Sequence, residues 1–198
     1  MEQEVLKKLE DAIWVGNAVF MRNKTAGSSA NMSFRYGDHI YITGSGTCFG
    51  RLQPDDFSIL DLTGNHLKGP KPSKEYPLHL LMYDKEGIEA VIHTHGTYTV
   101  LWSCVSNEPE NDYIPMYTPY LDMKLGPVKA IRYHKPGSQE LFSAMRDAID
   151  DRDGYVLKNH GAIIRASSMM SAFYNLEELE ESSKLAFLLR DTATSKII

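Results

Sequence analysis

A chain of 198 residues, 42% apolar and 24% charged, is long enough to bury a core and is composed like an ordinary globular protein. Its 21 basic residues are outnumbered by 26 acidic ones for a net charge of -5, which excludes the basic excess on which nucleic-acid binding rests but leaves room for a small anion. Charges punctuate the first segment, no apolar run reaches the roughly 18 residues of a membrane span, and Cys48 and Cys104 stand far apart, so the expectation is a cytoplasmic protein with no membrane partner.

In chain order, Leu6, Leu9, Ile13 and Phe20 recur near helical spacing and predict an amphipathic helix over 2–21. Two strand-like runs, 32–36 and 39–43, flank Gly37-Asp38 and predict a tight hairpin. Gly44, Gly46 and Gly50 make the next loop conformationally permissive. Ser73 is a candidate N-cap for a helix to residue 84, with Pro77 near its first turn. A short buried strand at 90–93 ends at two histidines, and a helix over 98–105 follows. The segment 107–127 carries Pro109, Pro115, Pro119 and Pro127 without a clean period and is expected to be an irregular loop. Beyond it come a strand at 128–133, a helix at 138–150, a strand pair at 154–158 and 162–165, and a long helix over 168–190. Glu177, Glu178, Glu180 and Glu181 are expected on its solvated face, opposite Leu176 and Leu179. Short strands interleaved with helices predict an α/β fold: one three-layer α/β/α domain spanning 1–198, with a central mixed, largely antiparallel sheet.

The chemistry concentrates in a few residues. Positions i and i+2 of a strand project from one face, so His93 and His95 aim two imidazoles at one point. A histidine near a strand end serves equally well as a hydrogen-bonding group, and the pair alone leaves both roles open. His160 sits beside Gly161 between two strand-like runs, as a third ligand or a turn residue. Three histidines on one metal leave a fourth position open, the arrangement of catalytic rather than structural zinc. Glu75 is a dipole partner at a helix start or, beside a metal, a ligand or proton shuttle. Ser28, Asn31, Ser45, Gly46, Ser73 and Lys74 fall in three loops before regular elements, where hydroxyls, backbone N–H groups and one ammonium suit a phosphate. Turn chemistry accounts for each of them singly. His79 lies four residues after Glu75 on the same helical face and is a candidate to support the site without touching the metal.

Pro72-Ser73-Lys74-Glu75, His93-Thr94-His95 and Asn159-His160-Gly161, in this order and at this separation, resemble the class II aldolase/adducin-head family over essentially the whole chain. The resemblance implies one zinc ion per chain on His93, His95 and His160, with Glu75 as an acid/base that also ligates the empty-sited metal. It implies a substrate-phosphate pocket of Ser28, Asn31, Ser45, Gly46, Ser73 and Lys74. It further implies a homotetramer with sites at subunit interfaces, where Tyr120 reaches across as a second catalytic residue. One departure is Ala30, which stands where the family has a glycine before the phosphate-binding asparagine.

Within the family, Gly46-Thr47-Cys48-Phe49-Gly50, Tyr117-Thr118-Pro119-Tyr120 and Lys135-Pro136-Gly137 are most similar to bacterial enzymes that decarboxylate a 3-oxo-tetronate 4-phosphate. That likeness implies a small phosphorylated sugar-acid substrate, with dihydroxyacetone phosphate and carbon dioxide as products. Aldolases and 4-epimerases share the metal motif and are the alternative activities, while a non-catalytic adducin-type module would lack the ligands. Other divalent metals also suit three histidines.

Overall fold

The computed structural model describes residues 3–192 and 196. Its strands are β1 (Asn31–Tyr36), β2 (His39–Thr43), β3 (Phe57–Asp61), β4 (His66–Lys68), β5 (Ala90–Thr94), β6 (Lys129–Ile131), β7 (Gly154–Leu157) and β8 (Gly161–Ala166). They form one sheet in the order β4-β3-β2-β1-β5-β8-β7-β6. Every pairing is antiparallel except that of β6 with β7, so the sheet is mixed and largely antiparallel, as expected. The helices are α1 (Gln3–Met21), α2 (Tyr76–Met82), α3 (Thr97–Val105), α4 (Tyr120–Lys124), α5 (Gln139–Ala148) and α6 (Met169–Leu189).

Burial follows the period of two along the strands. Phe34, Ile92, Val156 and Ile164 face one side and pack with α1, α3, α4 and α6. Val91, Ile131, Tyr155 and Ile163 face the other and pack with Leu78 and Met82 of α2 and Leu141 and Met145 of α5. Because β5, β7 and β8 are covered on both faces, every residue in them is buried, and their sequences read as continuous apolar runs rather than alternation. His93 shares the face of Val91, beneath α2.

Several expectations are corrected. In α1 the buried stripe is Val5, Leu9, Ala12, Val15 and Val19, while Leu6 is 43% exposed. The segment expected to be irregular contains α4. β3 and β4 are not among the expected elements: β4 is exposed at every residue, and burial along β3 does not alternate. Their turn is organised by Asp61, whose Oδ1 accepts the backbone N–H groups of Thr63 and Asn65, each at 2.9 Å. The side chains of Asn65 and Thr63 hydrogen-bond to the same carboxyl and hold it well below the usual carboxylate range. Helix α2 begins at Tyr76 rather than just after Ser73, with Glu75 at its N-cap position and without a side-chain capping bond. Ser138 and Ser168 cap as their residue type favours, accepting the N–H groups of Leu141 and Ser171.

Glu180 is the largest surprise on α6. It is 2% exposed rather than solvated. Its carboxylate accepts the N–H groups of Tyr98 at 2.8 Å and Thr99 at 2.9 Å and the Thr99 hydroxyl at 2.6 Å, closing the N-terminus of α3. A Cβ on Gly96 would meet that carboxylate at 2.5 Å, so the glycine is what admits it.

Candidate metal centre

Glu75, His93, His95 and His160 each offer a ligand atom, and the four atoms all lie within 4.8 Å of one another. His93 Nε2 stands 3.0 Å from His95 Nε2 and 3.4 Å from Glu75 Oε2, and His160 Nε2 stands 3.4 Å from Glu75 Oε1. A tetrahedral ion with metal–nitrogen bonds of 2.0–2.1 Å holds its ligands about 3.3 Å apart, so these spacings fit one ion. Glu75 Oε1 and both ring nitrogens of His160 are buried and have no hydrogen-bond partner among the described residues. Polar atoms buried in this way are costly unless something coordinates them. The residues present therefore fit a divalent metal.

The tautomer of His93 is set from behind: its Nδ1–H donates to the Ala162 carbonyl at 2.9 Å, leaving Nε2 bare toward the centre. Burial pushes His93 well below the usual imidazole value, and repulsion from His95 adds to it. Burial also lowers His95, and lowers His160 to about 3. All three rings are thus held neutral, the form that ligates a metal.

The Asn159-His160-Gly161 turn works differently from the sharp glycine turn that its sequence suggests. The left-handed conformation falls on Asn159, with φ 58°, a residue type that tolerates it. Its N–H is held by Ser103 Oγ at 2.8 Å. Gly161 instead permits close approach, since a Cβ there would lie 2.2 Å from the Thr94 carbonyl oxygen and 2.9 Å from His95 Cδ2. Thr94 pairs with Ala162 in the β5–β8 ladder, so its carbonyl has nowhere to retreat. Gly161→Ala is expected to cost about 1–3 kcal/mol as an overpacking substitution, lowering Tm by roughly 2–12 °C, and to weaken metal retention because His95 and His160 are both displaced. Calorimetry with metal analysis checks this, and an unchanged Tm would refute the close-approach role.

A pocket of about 220 Å³ opens beside the four ligands. Its lining includes all six residues expected to bind phosphate, Ser28, Asn31, Ser45, Gly46, Ser73 and Lys74, together with Glu75, His95 and His160. The loops are zipped together by a bridge between Gly44 and Pro72, with Ser45 N–H donating to the Lys71 carbonyl and Ser73 N–H to the Thr43 carbonyl. Those two backbone donors are therefore committed, and the Ser73 hydroxyl oxygen accepts the Glu75 N–H at 3.3 Å. Gly46 has φ 82°, which favours glycine. The stem of Lys74 lies on Gly137, where a Cβ would stand 2.9 Å from Lys74 Cδ. Ala30 is buried and has no positive φ, so alanine is accommodated without strain where the family has glycine.

Tyr120 is not part of this cluster. It begins α4, is 58% exposed and does not line the pocket. Sequence reasoning missed Ser33 and Tyr83, which lie beneath the site. No motif marks them, but the alternation that puts Ser33 on the face of His93 was available.

Compared with known proteins, residues 10–187 match the model of the Class II Aldolase and Adducin N-terminal domain, and the chain belongs to that family. It is 36% identical over 187 residues to the 3-oxo-tetronate 4-phosphate decarboxylase of Haemophilus influenzae, spanning 93% of this chain and 89% of that protein. It is also 36% identical over 171 residues to the L-fuculose phosphate aldolase of Methanocaldococcus jannaschii, spanning 86% and 90%. Among solved structures it is similar to YgbL of Escherichia coli, with a TM-score of 0.91 and 31% identity over 96% of this chain and 93% of that one. No helix among the described residues is long and apolar enough to cross a membrane.

Proposed function

We propose that this protein is a metal-dependent decarboxylase that converts a 3-oxo-tetronate 4-phosphate into dihydroxyacetone phosphate and carbon dioxide. The observation that carries this reading is a three-histidine, one-carboxylate cluster directly abutting a hydroxyl- and lysine-lined pocket. It is supported by five curated relatives at 33–36% identity that bear the name of this activity. His93, His95 and His160 would hold one divalent ion per chain, zinc in this reading, with Glu75 alongside. Such an ion supplies Lewis acidity where negative charge develops on the substrate ketone.

The chain's own residues do the remainder. Lys74, with Ser28, Asn31, Ser45, Gly46 and Ser73, binds the phosphate and fixes the reacting carbons by that remote anchor. The C1–C2 bond breaks, C1 leaves as carbon dioxide, and its electron pair moves toward the C3 carbonyl. Glu75, which takes up a proton from solvent in each turnover, then delivers the proton that C2 requires. The test is carbon dioxide release from the phosphorylated 3-oxo acid by metal-replete protein, with dihydroxyacetone phosphate formed in equal amount. Retro-aldol cleavage of a ketose phosphate without carbon dioxide release would replace this reading by an aldolase, the second reading that the archaeal relative supports.

The phosphate anchor has its own consequence. Lys74→Met is expected to raise KM for the phosphorylated substrate about tenfold to a hundredfold, as loss of a charge-assisted contact worth about 1.5–3 kcal/mol does, with metal content unchanged. Equal activity on the unphosphorylated acid would remove the pocket assignment.

We further propose a cytoplasmic homotetramer with shared sites, in which Tyr120, exposed and outside the cluster of its own chain, reaches the centre of a neighbouring chain. Inactive Tyr120→Phe and inactive His95→Ala subunits, reassembled together, are then expected to regain activity, since some shared sites receive both intact residues. Mixed oligomers that stay inactive would show that each chain supplies its own site.

A further inference from the structure

Behind Glu75 runs an unbroken buried chain of side chains. Asn31 Nδ2 donates to Glu75 Oε2 at 3.2 Å, and Asn31 Oδ1 lies 2.5 Å from His79 Nε2. His79 Nδ1 lies 2.8 Å from Ser33 Oγ, which lies 2.8 Å from the Tyr83 hydroxyl. His79 and Ser33 are fully buried, one on α2 and one on β1.

The donor order follows from the chemistry of the groups. A carboxylate only accepts, so the amide turns its NH₂ toward Glu75 and its oxygen toward His79. An amide oxygen also only accepts, so the His79 proton is on Nε2. Burial lowers His79 to about 3, which leaves the ring with that single proton. Its bare Nδ1 then accepts a hydrogen bond from the Ser33 hydroxyl, and the Tyr83 hydroxyl donates to Ser33 Oγ. Four donors in series all point at Glu75, and such chains polarise one another.

We propose that His79 is a positioning residue: through Asn31 it aims the Glu75 carboxylate and locks one amide that faces both the carboxylate and the phosphate pocket. Asn31 has two amide hydrogens and lines that pocket. One hydrogen is spent on Glu75, and the other belongs to the side on which the substrate anion sits. Rotating the amide so that its oxygen meets the anion, which it would repel, is opposed by the His79 Nε2–H that holds that oxygen. Substrate phosphate and acid/base group are thereby held in register by one side chain. Without the imidazole, Asn31 is free to turn its oxygen toward Glu75, which repels the carboxylate from its working position.

This inference rests on Glu75 being the acid/base, and the experiment separates the two. His79→Leu removes the donor in similar volume, whereas His79→Gln restores an N–H near the position of Nε2. His79→Leu is expected to lower kcat by about 10–100-fold, the usual cost of losing a group that orients a ligand or catalytic residue, with metal content unchanged. His79→Gln is expected to recover most of that loss. A kcat within threefold of native in folded His79→Leu, or equal losses in the Leu and Gln variants at equal stability, would overturn the positioning role. If Glu75→Gln itself retains turnover, the failure belongs to the acid/base reading instead. Should His79→Leu not fold, nitrogen-15 histidine NMR of the native protein decides: a neutral ring protonated at Nε2, assigned by its loss in His79→Gln, is expected, and protonation at Nδ1 overturns the proposal.

Discussion

Removing the His93 imidazole is expected to empty the metal centre. His93→Ala deletes a ligand atom 3.0 Å from His95 Nε2 and 3.4 Å from Glu75 Oε2, near the end of a strand buried on both faces. The backbone of β5 is fixed between β1 and β8, so the strand itself cannot shift to fill the vacated position. Native protein prepared without chelator is expected to hold near one ion per chain, and His93→Ala near none. Turnover should fall by more than about 100-fold, since groups that merely orient ligands already cost about 10–100-fold. A readout independent of activity is available. A metal at about 100 times its Kd stabilises the folded state by about 2.7 kcal/mol, a Tm rise of roughly 5–11 °C for a chain of this size. That rise should appear in the native protein on adding metal and be absent in His93→Ala. Full occupancy in His93→Ala, His95→Ala and His160→Ala alike would remove the metal reading.

Glu75→Gln is the second large effect, expected at about 10²–10⁴-fold in kcat, the range that a general acid–base group supplies. The substitution is nearly isosteric, and the local hydrogen bonding tolerates it. The new amide can keep its oxygen toward Asn31 Nδ2, where Glu75 Oε2 now accepts at 3.2 Å. Fold and Tm are therefore expected to hold while proton transfer is lost, because an amide does not exchange protons near neutral pH. Rapid kinetics on metal-replete variant measures this directly. A maximal rate within about threefold of native would make Glu75 a structural member of the cluster.

The legible part of this site was the part written in single residue types. Paired histidines two apart on a strand, an Asn-His-Gly turn and a carboxylate before a helix made each of the four a candidate, since i and i+2 geometry is local, and the family resemblance joined them into one set. The legible part of the fold was its buried layers: continuous apolar runs marked β5, β7 and β8, and Ser138 and Ser168 marked two helix starts. Where burial and sequence part company, the pattern was silent. β4 is exposed throughout, and Leu6 looks like core but faces outward.

By itself, then, the sequence determined the α/β class, the central strands and the identity of the metal-binding candidates, since each depends on side-chain chemistry and short-range periodicity. Only the tertiary structure decided how distant pieces share one place. Glu180 reads as a surface acid until α6 packs across α3 and makes it a helix cap. Gly161 reads as a turn residue until the β5–β8 ladder leaves no room for a Cβ. Asn31 reads as a phosphate ligand alone, and only β1 sets it between Glu75 and His79 as well, 44 and 48 residues away along the chain. Such roles are properties of contact between remote segments, and no local spacing encodes them.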